Sequence, residues 1–143
     1  MKELHKVLIR LINSHRRTAH REFNKVGLSK GQPKILDFLV LNNGCIQKDI
    51  ADNCHIEPAT VTSLLANMEK KELVYRSQNS ENRRILNVFL TDKGIEAQKK
   101  VIKIFNGLDE LCFKGFSEDE KTQTIELLTR IQNNLDEGEK DNA

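Results

Sequence analysis

The stretch from Gln47 to Thr91 constrains this chain more than any other. It reads as two short helices around a tight turn, then two strands around a charged loop. Gln47-Lys48-Asp49-Ile50-Ala51-Asp52-Asn53 carries the first helix, and Cys54-His55-Ile56 the turn. The second helix begins Glu57-Pro58-Ala59-Thr60-Val61-Thr62-Ser63-Leu64-Leu65. Pro58 fits that start because a first-turn residue needs no amide donor. A strand is expected near Leu73-Val74-Tyr75-Arg76, a loop over Gln78 to Arg84 and a second strand over Ile85 to Leu90. That order is a winged helix-turn-helix, an arrangement that lays its second helix in the major groove of DNA.

Helices flank this unit. Leu4, Val7, Leu8, Leu11 and Ile12 recur at helical spacing with basic residues opposite, which predicts a first helix to about Phe23. Ser29-Lys30-Gly31-Gln32 has the form of a capping box, with the Ser29 hydroxyl accepting from the Gln32 amide. Pro33 follows in the first turn of a helix whose Ile35, Leu36, Phe38, Leu39 and Leu41 are expected to be buried. Asn42-Asn43-Gly44 ends it. After the hairpin, Thr91 is a natural N-cap and Asp92 suits the positive end of a long helix carrying Ile95, Val101, Ile102, Phe105, Leu108 and Cys112. Lys114-Gly115 break that helix, and Ser117-Glu118-Asp119-Glu120 is a second capping box. Ile125, Leu127, Leu128, Ile131 and Leu135 form the last apolar stripe, with residues 137–143 expected as a frayed polar tail. The fold class is therefore mainly α with a small β-hairpin wing. Its apolar stripes at both ends are more than a small winged lobe can cover, so a homodimer is expected.

Charge distribution says more than net charge, which is only +2. Residues 1–28 hold seven Lys or Arg against Glu3 and Glu22, while residues 117–143 hold eight Asp or Glu against Lys121, Arg130 and Lys140. A basic front half and an acidic end suit a protein with one face toward phosphates. No apolar run approaches the length of a membrane span, and Lys6, Arg10 and Arg16 interrupt any apolar leader. Three cysteines without a CxxC pair fit a reducing compartment. These features place the chain in the cytoplasm, with no membrane partner.

The candidate site is an interface with double-stranded DNA. Pro58, Ala59, Thr60, Thr62 and Ser63 lie at the exposed start of the second helix, where small hydroxyl and methyl groups can approach base edges closely. A Thr-rich first turn can also be only a cap; the surrounding helix, turn and wing favour base reading. Val61, Leu64, Leu65 and Met68 fall on the opposite, core face. Arg83 and Arg84 occupy the wing loop, where an Arg can enter the minor groove or meet a phosphate. The plain alternative is a solvated turn. Gln47, Lys48 and Arg76 are expected as phosphate contacts. Cys54 takes an inward position as a small hydrophobe, Cys112 lies on an apolar stripe and is expected in the core or a dimer contact, and Cys45 is the least determined. His5, His15, His20 and His55 form no metal-ligand pair, and His55 sits where the turn can require a positive φ. No catalytic motif, nucleotide loop or cofactor signature occurs, so no enzyme activity, cofactor or metal is expected.

These elements together resemble the MarR family of bacterial transcription regulators. The resemblance rests on Gln47-Lys48-Asp49-Ile50-Ala51, Thr60-Val61-Thr62, Met68-Glu69-Lys70-Lys71-x-Leu73-Val74, and Arg84 followed by Leu90-Thr91-x-x-Gly94. It covers nearly the whole chain. The chain departs from the family's usual pattern at Ser63, often Arg, at Ala66-Asn67, often Asp-Arg, at Asn82 in the wing, usually Asp, and at Glu72, commonly Gly. The resemblance implies one MarR-like domain over 1–143, with a DNA-binding lobe at 29–94 and dimerisation helices at 1–25 and 95–136. It implies a repressor that reads a pseudo-palindromic operator and is released by a small-molecule effector or stress signal. It also implies an effector pocket between dimer arm and lobe, for which His15, Arg16 and Phe38 are candidate lining residues. The competing function is a winged-helix module that binds protein and not DNA.

Overall fold

A computed structural model describes residues 3–142. Two compact units divide the chain, Met1–Leu108 and Asp109–Ala143. The elements are α1 (Leu4–Lys25), α2 (Gln32–Leu41), α3 (Gln47–Cys54), α4 (Pro58–Lys70), β1 (Val74–Gln78), β2 (Leu86–Leu90), α5 (Asp92–Cys112) and α6 (Glu118–Asp141).

The first unit is built around aliphatic side chains. Ile35, Leu36 and Leu39 of α2, Ile50 of α3, Val61, Leu65 and Met68 of α4, Val74 and Val88 of the hairpin and Val101 of α5 are all buried. Each such side chain contributes about 1.5–3 kcal/mol by leaving water. Phe23 of α1 meets Phe105 of α5 edge to face, with centroids 5.2 Å apart. The hairpin is antiparallel in the register Val74↔Leu90 to Gln78↔Leu86. An isolated bridge from Ile46 to Asn87 ties the start of α3 to β2. The turn between α3 and α4 closes on His55, whose φ of 54° is left-handed, a conformation His tolerates better than most residues.

Local chemistry explains the helix ends. Pro58 opens α4. Thr91 Oγ1 accepts from the Gly94 amide at 3.0 Å and so caps α5. A side chain at Gly94 would drive a Cβ into the Leu73 carbonyl oxygen, so only glycine lets α5 lie this close to the end of the α4–β1 turn. Glu72, in that turn, holds a φ of 61°, the region where the related pattern places Gly.

Two of the expectations for this unit need correction. The Ser29 hydroxyl does not cap α2: helix α2 starts at Gln32 behind Gly31, the Gln32 amide donates to the Ser29 carbonyl at 3.1 Å, and only the return half of the box forms, with the Ser29 amide donating to Gln32 Oε1 at 3.1 Å. Leu41 is not buried but 84% exposed, because it is the last residue of α2 and falls away from the face set by Ile35, Leu36 and Leu39.

The second unit holds the end of α5 and all of α6. Ser117 caps α6 as a full capping box: its Oγ accepts from the Glu120 amide at 3.1 Å, and its own amide donates to Glu120 Oε1 at 2.8 Å. The bond from the Ser117 amide, with the Ser117 hydroxyl adding to it, holds the Glu120 carboxyl below its ordinary pKa. The tail is not frayed from residue 137. Helix α6 continues to Asp141, supported by side-chain bonds such as Gln132 to Asp136 and Asn142 to the Gly138 carbonyl. Cys112 is exposed, so its place in a core of this chain is also corrected. No residue of α6 is buried.

Candidate nucleic-acid interface

Helices α3 and α4 pack through Ile50, Ala51, Cys54, Val61 and Leu65, which leaves Pro58, Ala59, Thr60, Thr62 and Ser63 exposed on the other side of α4. Val61 and Leu65 thereby hold the polar side outward. Leu64 is half-buried.

A hydrogen-bonded chain crosses from the wing to α4. The Arg76 guanidinium on β1 pairs with Glu69 of α4 through its Nε. Its Nη1 donates to Gln47 Oε1 at 3.0 Å. Gln47 Nε2 in turn donates to Thr62 Oγ1 at 3.3 Å, and Thr62 Oγ1 donates to the Pro58 carbonyl at 3.2 Å. Strand β1, helix α3 and helix α4 are thus joined by four side chains. The Arg76 side chain is only 18% exposed, and an ion pair so placed keeps more of its strength than a solvated one. Arg76 and Gln47, expected at phosphates, both stand inside this chain of contacts. Lys48 is exposed on α3 with no such tie. Among the described residues no hydrogen bond to protein engages the Thr60 or Ser63 hydroxyl.

The wing loop is shaped by asparagines. Asn79 Oδ1 accepts from the Glu81 and Asn82 amides at 2.9 and 3.2 Å, and Asn82 Oδ1 accepts from the Arg84 amide at 3.0 Å. These are side-chain mimics of backbone turns, a habit of Asn. Asn79 Nδ2 also donates to Asn87 Oδ1, and Asn87 Nδ2 to the Gly44 carbonyl. Arg83 and Arg84 are left exposed, and neither side chain enters an ion pair among the described residues. Sequence reasoning passed over Glu69, Asn79 and Asn87. The density of Asn in the loop between two strands was the available signal for Asn79; Asn87 lies within β2 and carried no such signal.

The remaining candidates stand apart. His15 and Phe38 are half-buried and Arg16 is exposed. A cleft of about 370 Å³ in the first unit is lined instead by residues including Val26, Leu28, Lys71, Leu73, Lys93 and Lys100. Burial pushes the Cys45 thiol up to about 11, with the Asp49 carboxylate adding to it. Burial also raises the Cys54 thiol, whose Sγ lies 3.8 Å from the Lys34 carbonyl. Both thiols are therefore poor nucleophiles. Among the described residues no group of His, Cys, Asp and Glu is disposed to hold a metal ion. No helix among them is long and apolar enough to cross a membrane.

Residues 28–86, the stretch holding α2 to the start of β2, match the MarR family model. An uncharacterized HTH-type transcriptional regulator of Bacillus subtilis (strain 168), YdgJ, is 32% identical over 112 residues, 76% of this chain and 66% of the relative. The HTH-type transcriptional repressor MdtR of the same organism is 24% identical over 118 residues, 82% of this chain and 76% of that protein. The fold is similar to that of a MarR family transcriptional regulator from Listeria monocytogenes complexed with 26mer DNA, at a TM-score of 0.78 and 26% identity, covering 94% of this chain and 90% of the other. With six helices among the described residues, a two-stranded wing and a matched helix-turn-helix, the chain belongs to the MarR family of transcription regulators.

Proposed function

We propose that this regulator works as a cytoplasmic homodimer that binds a pseudo-palindromic operator in double-stranded DNA and represses transcription until a small ligand or stress signal releases it. The observation that carries the reading is the exposed polar side of α4, where the Thr60 and Ser63 hydroxyls stand free while Val61 and Leu65 anchor the helix from behind. A helix presented this way can enter a major groove and meet base edges. Arg83 and Arg84 then reach the flanking backbone or minor groove, and Lys48 a phosphate. Arg76 serves as a brace between wing and α4, since its guanidinium is already engaged. The repressor reading takes support from MdtR, which is named a repressor, and the DNA reading from the Listeria neighbour, which is bound to DNA. His15, Arg16 and Phe38 are the proposed effector contacts.

A gel-shift with the DNA immediately upstream of the chain's own gene tests this function. Retardation at concentrations at which a scrambled duplex of equal length stays free is the expected result. Equal affinity for both duplexes would leave the chain a protein-binding winged helix.

A further inference from the structure

Thr60 and Thr62 stand two residues apart on exposed α4, yet their hydroxyls are in opposite states. That of Thr60 is free. That of Thr62 is committed, and the commitment begins on the wing. Because Arg76 Nη1 donates to Gln47 Oε1, the Gln47 amide is oriented with its Nε2 toward Thr62, where it donates. The Thr62 oxygen, already accepting, sends its own proton to the Pro58 carbonyl. Thr62 therefore has no proton for a base acceptor. It keeps one lone pair and a methyl group.

The major-groove edges respond differently to such a side chain. Guanine offers the acceptors O6 and N7, adenine N7 and thymine O4, none of which Thr62 can satisfy. An A·T pair also offers the thymine methyl and the adenine amino donor, which match the two features left on Thr62. A G·C pair has an amino donor on cytosine but no methyl. We propose that Thr62 is a specificity residue that selects an A·T pair through the thymine methyl, and that Gln47 and Arg76 are positioning residues that hold it in that state. The inference rests on the DNA-reading function above and adds to it the base that one side chain reads. Thr60, with its proton free, is the residue that can donate to a base acceptor.

The test uses the full-length chain and duplexes that it selects from a randomised library. In the selected duplex each thymine is replaced in turn by deoxyuridine, which lacks the methyl. One position per half-site is expected to lose about fourfold in affinity, the transfer value of a single methyl group. Thr62→Val, which keeps the methyl and loses the hydroxyl, is expected to show the same sensitivity, and Thr62→Ser, which loses the methyl, to show none. Gln47→Ala, which removes the donor that holds the Thr62 oxygen and so lets the hydroxyl turn away from the Pro58 carbonyl, is expected to relax base preference at that position and not at the others. An enriched motif in which no thymine is sensitive to the methyl overturns the Thr62 inference and leaves DNA reading intact. So does a Thr62→Ser protein as sensitive as the wild type. An unchanged base preference in Gln47→Ala overturns the positioning role. If no motif is enriched, the DNA-reading function falls, and the inference falls with it.

Discussion

The winged lobe and helix α6 solve the problem of apolar surface in opposite ways. In the lobe, α2, α3, α4 and the hairpin turn their aliphatic side chains on one another, so Ile35, Leu36, Ile50, Leu65 and Val88 are wholly buried. On α6, Ile125, Leu127, Leu128 and Leu135 are all exposed and nothing is buried. Helix α1 shares the second condition along Leu4, Val7, Leu11 and Ile12. The two helices keep regular backbones nonetheless, α6 from Glu118 to Asp141. Their periodicity is that of helices written to pack. The lobe buries its aliphatic side chains by itself; the terminal helices leave theirs open. The proposed homodimer is the economical way to cover stripes that would otherwise stay wet.

The sharpest way to break this contrast is to charge the exposed stripe. Leu128→Asp removes one apolar side chain from each of two subunits. At about 1.5–3 kcal/mol each, the dimer dissociation constant should rise by at least about 10²-fold. Sedimentation at micromolar concentration should show monomers with an unchanged lobe. A dimer that survives would mean that α6 is a solvated helix and the contrast is false.

Gly94→Ala attacks the other region. The new Cβ collides with backbone at Leu73, which cannot move aside as a flexible side chain can. The cost should lie at the upper end of the about 1–3 kcal/mol seen for overpacking, read as a lowered denaturant midpoint. Little change would mean that α5 does not seat against the turn.

A smaller effect distinguishes the wing tip from the wing brace. Arg84→Ala should lower the slope of log affinity against log salt by about 0.9, the value of one phosphate contact. The slope would hold steady if Arg84 were a solvated turn residue. Smallest is Glu72→Gly, which relieves a left-handed φ and should raise stability by about 1 kcal/mol. Destabilisation instead would show that the Glu72 side chain has a role of its own.

The lobe was more legible in the sequence than the network that organises it. Pro58 at the helix start, Thr91 as a cap and the aliphatic alternation of the second strand are local signals, and local signals locate elements. The turn at His55 was legible for the same reason. Leu41 was misread because its apolar character was taken for burial, although it falls off the face set by Ile35, Leu36 and Leu39. The end of α6 was misread because polar residues at a terminus suggest fraying, whereas here they bond to one another one turn apart. Arg76 was read from its charge alone. Its pairing with Glu69 and Gln47 depends on a strand crossing two helices, which no local pattern announces. The same holds for Gln32, wholly buried, whose Nε2 donates to Asn67 at 2.7 Å and whose Oε1 accepts from Lys71 at 3.1 Å.

The central claim is that two complete lobes are held by incomplete helices at one separation. Moving the two halves of a selected operator apart by half a helical turn, about 5 bp, tests it directly, because two lobes at fixed spacing must meet the same side of the duplex. Affinity should fall to that of random DNA after the half-turn insertion. Undiminished affinity at the new spacing would contradict the account, since it would mean that each lobe binds alone.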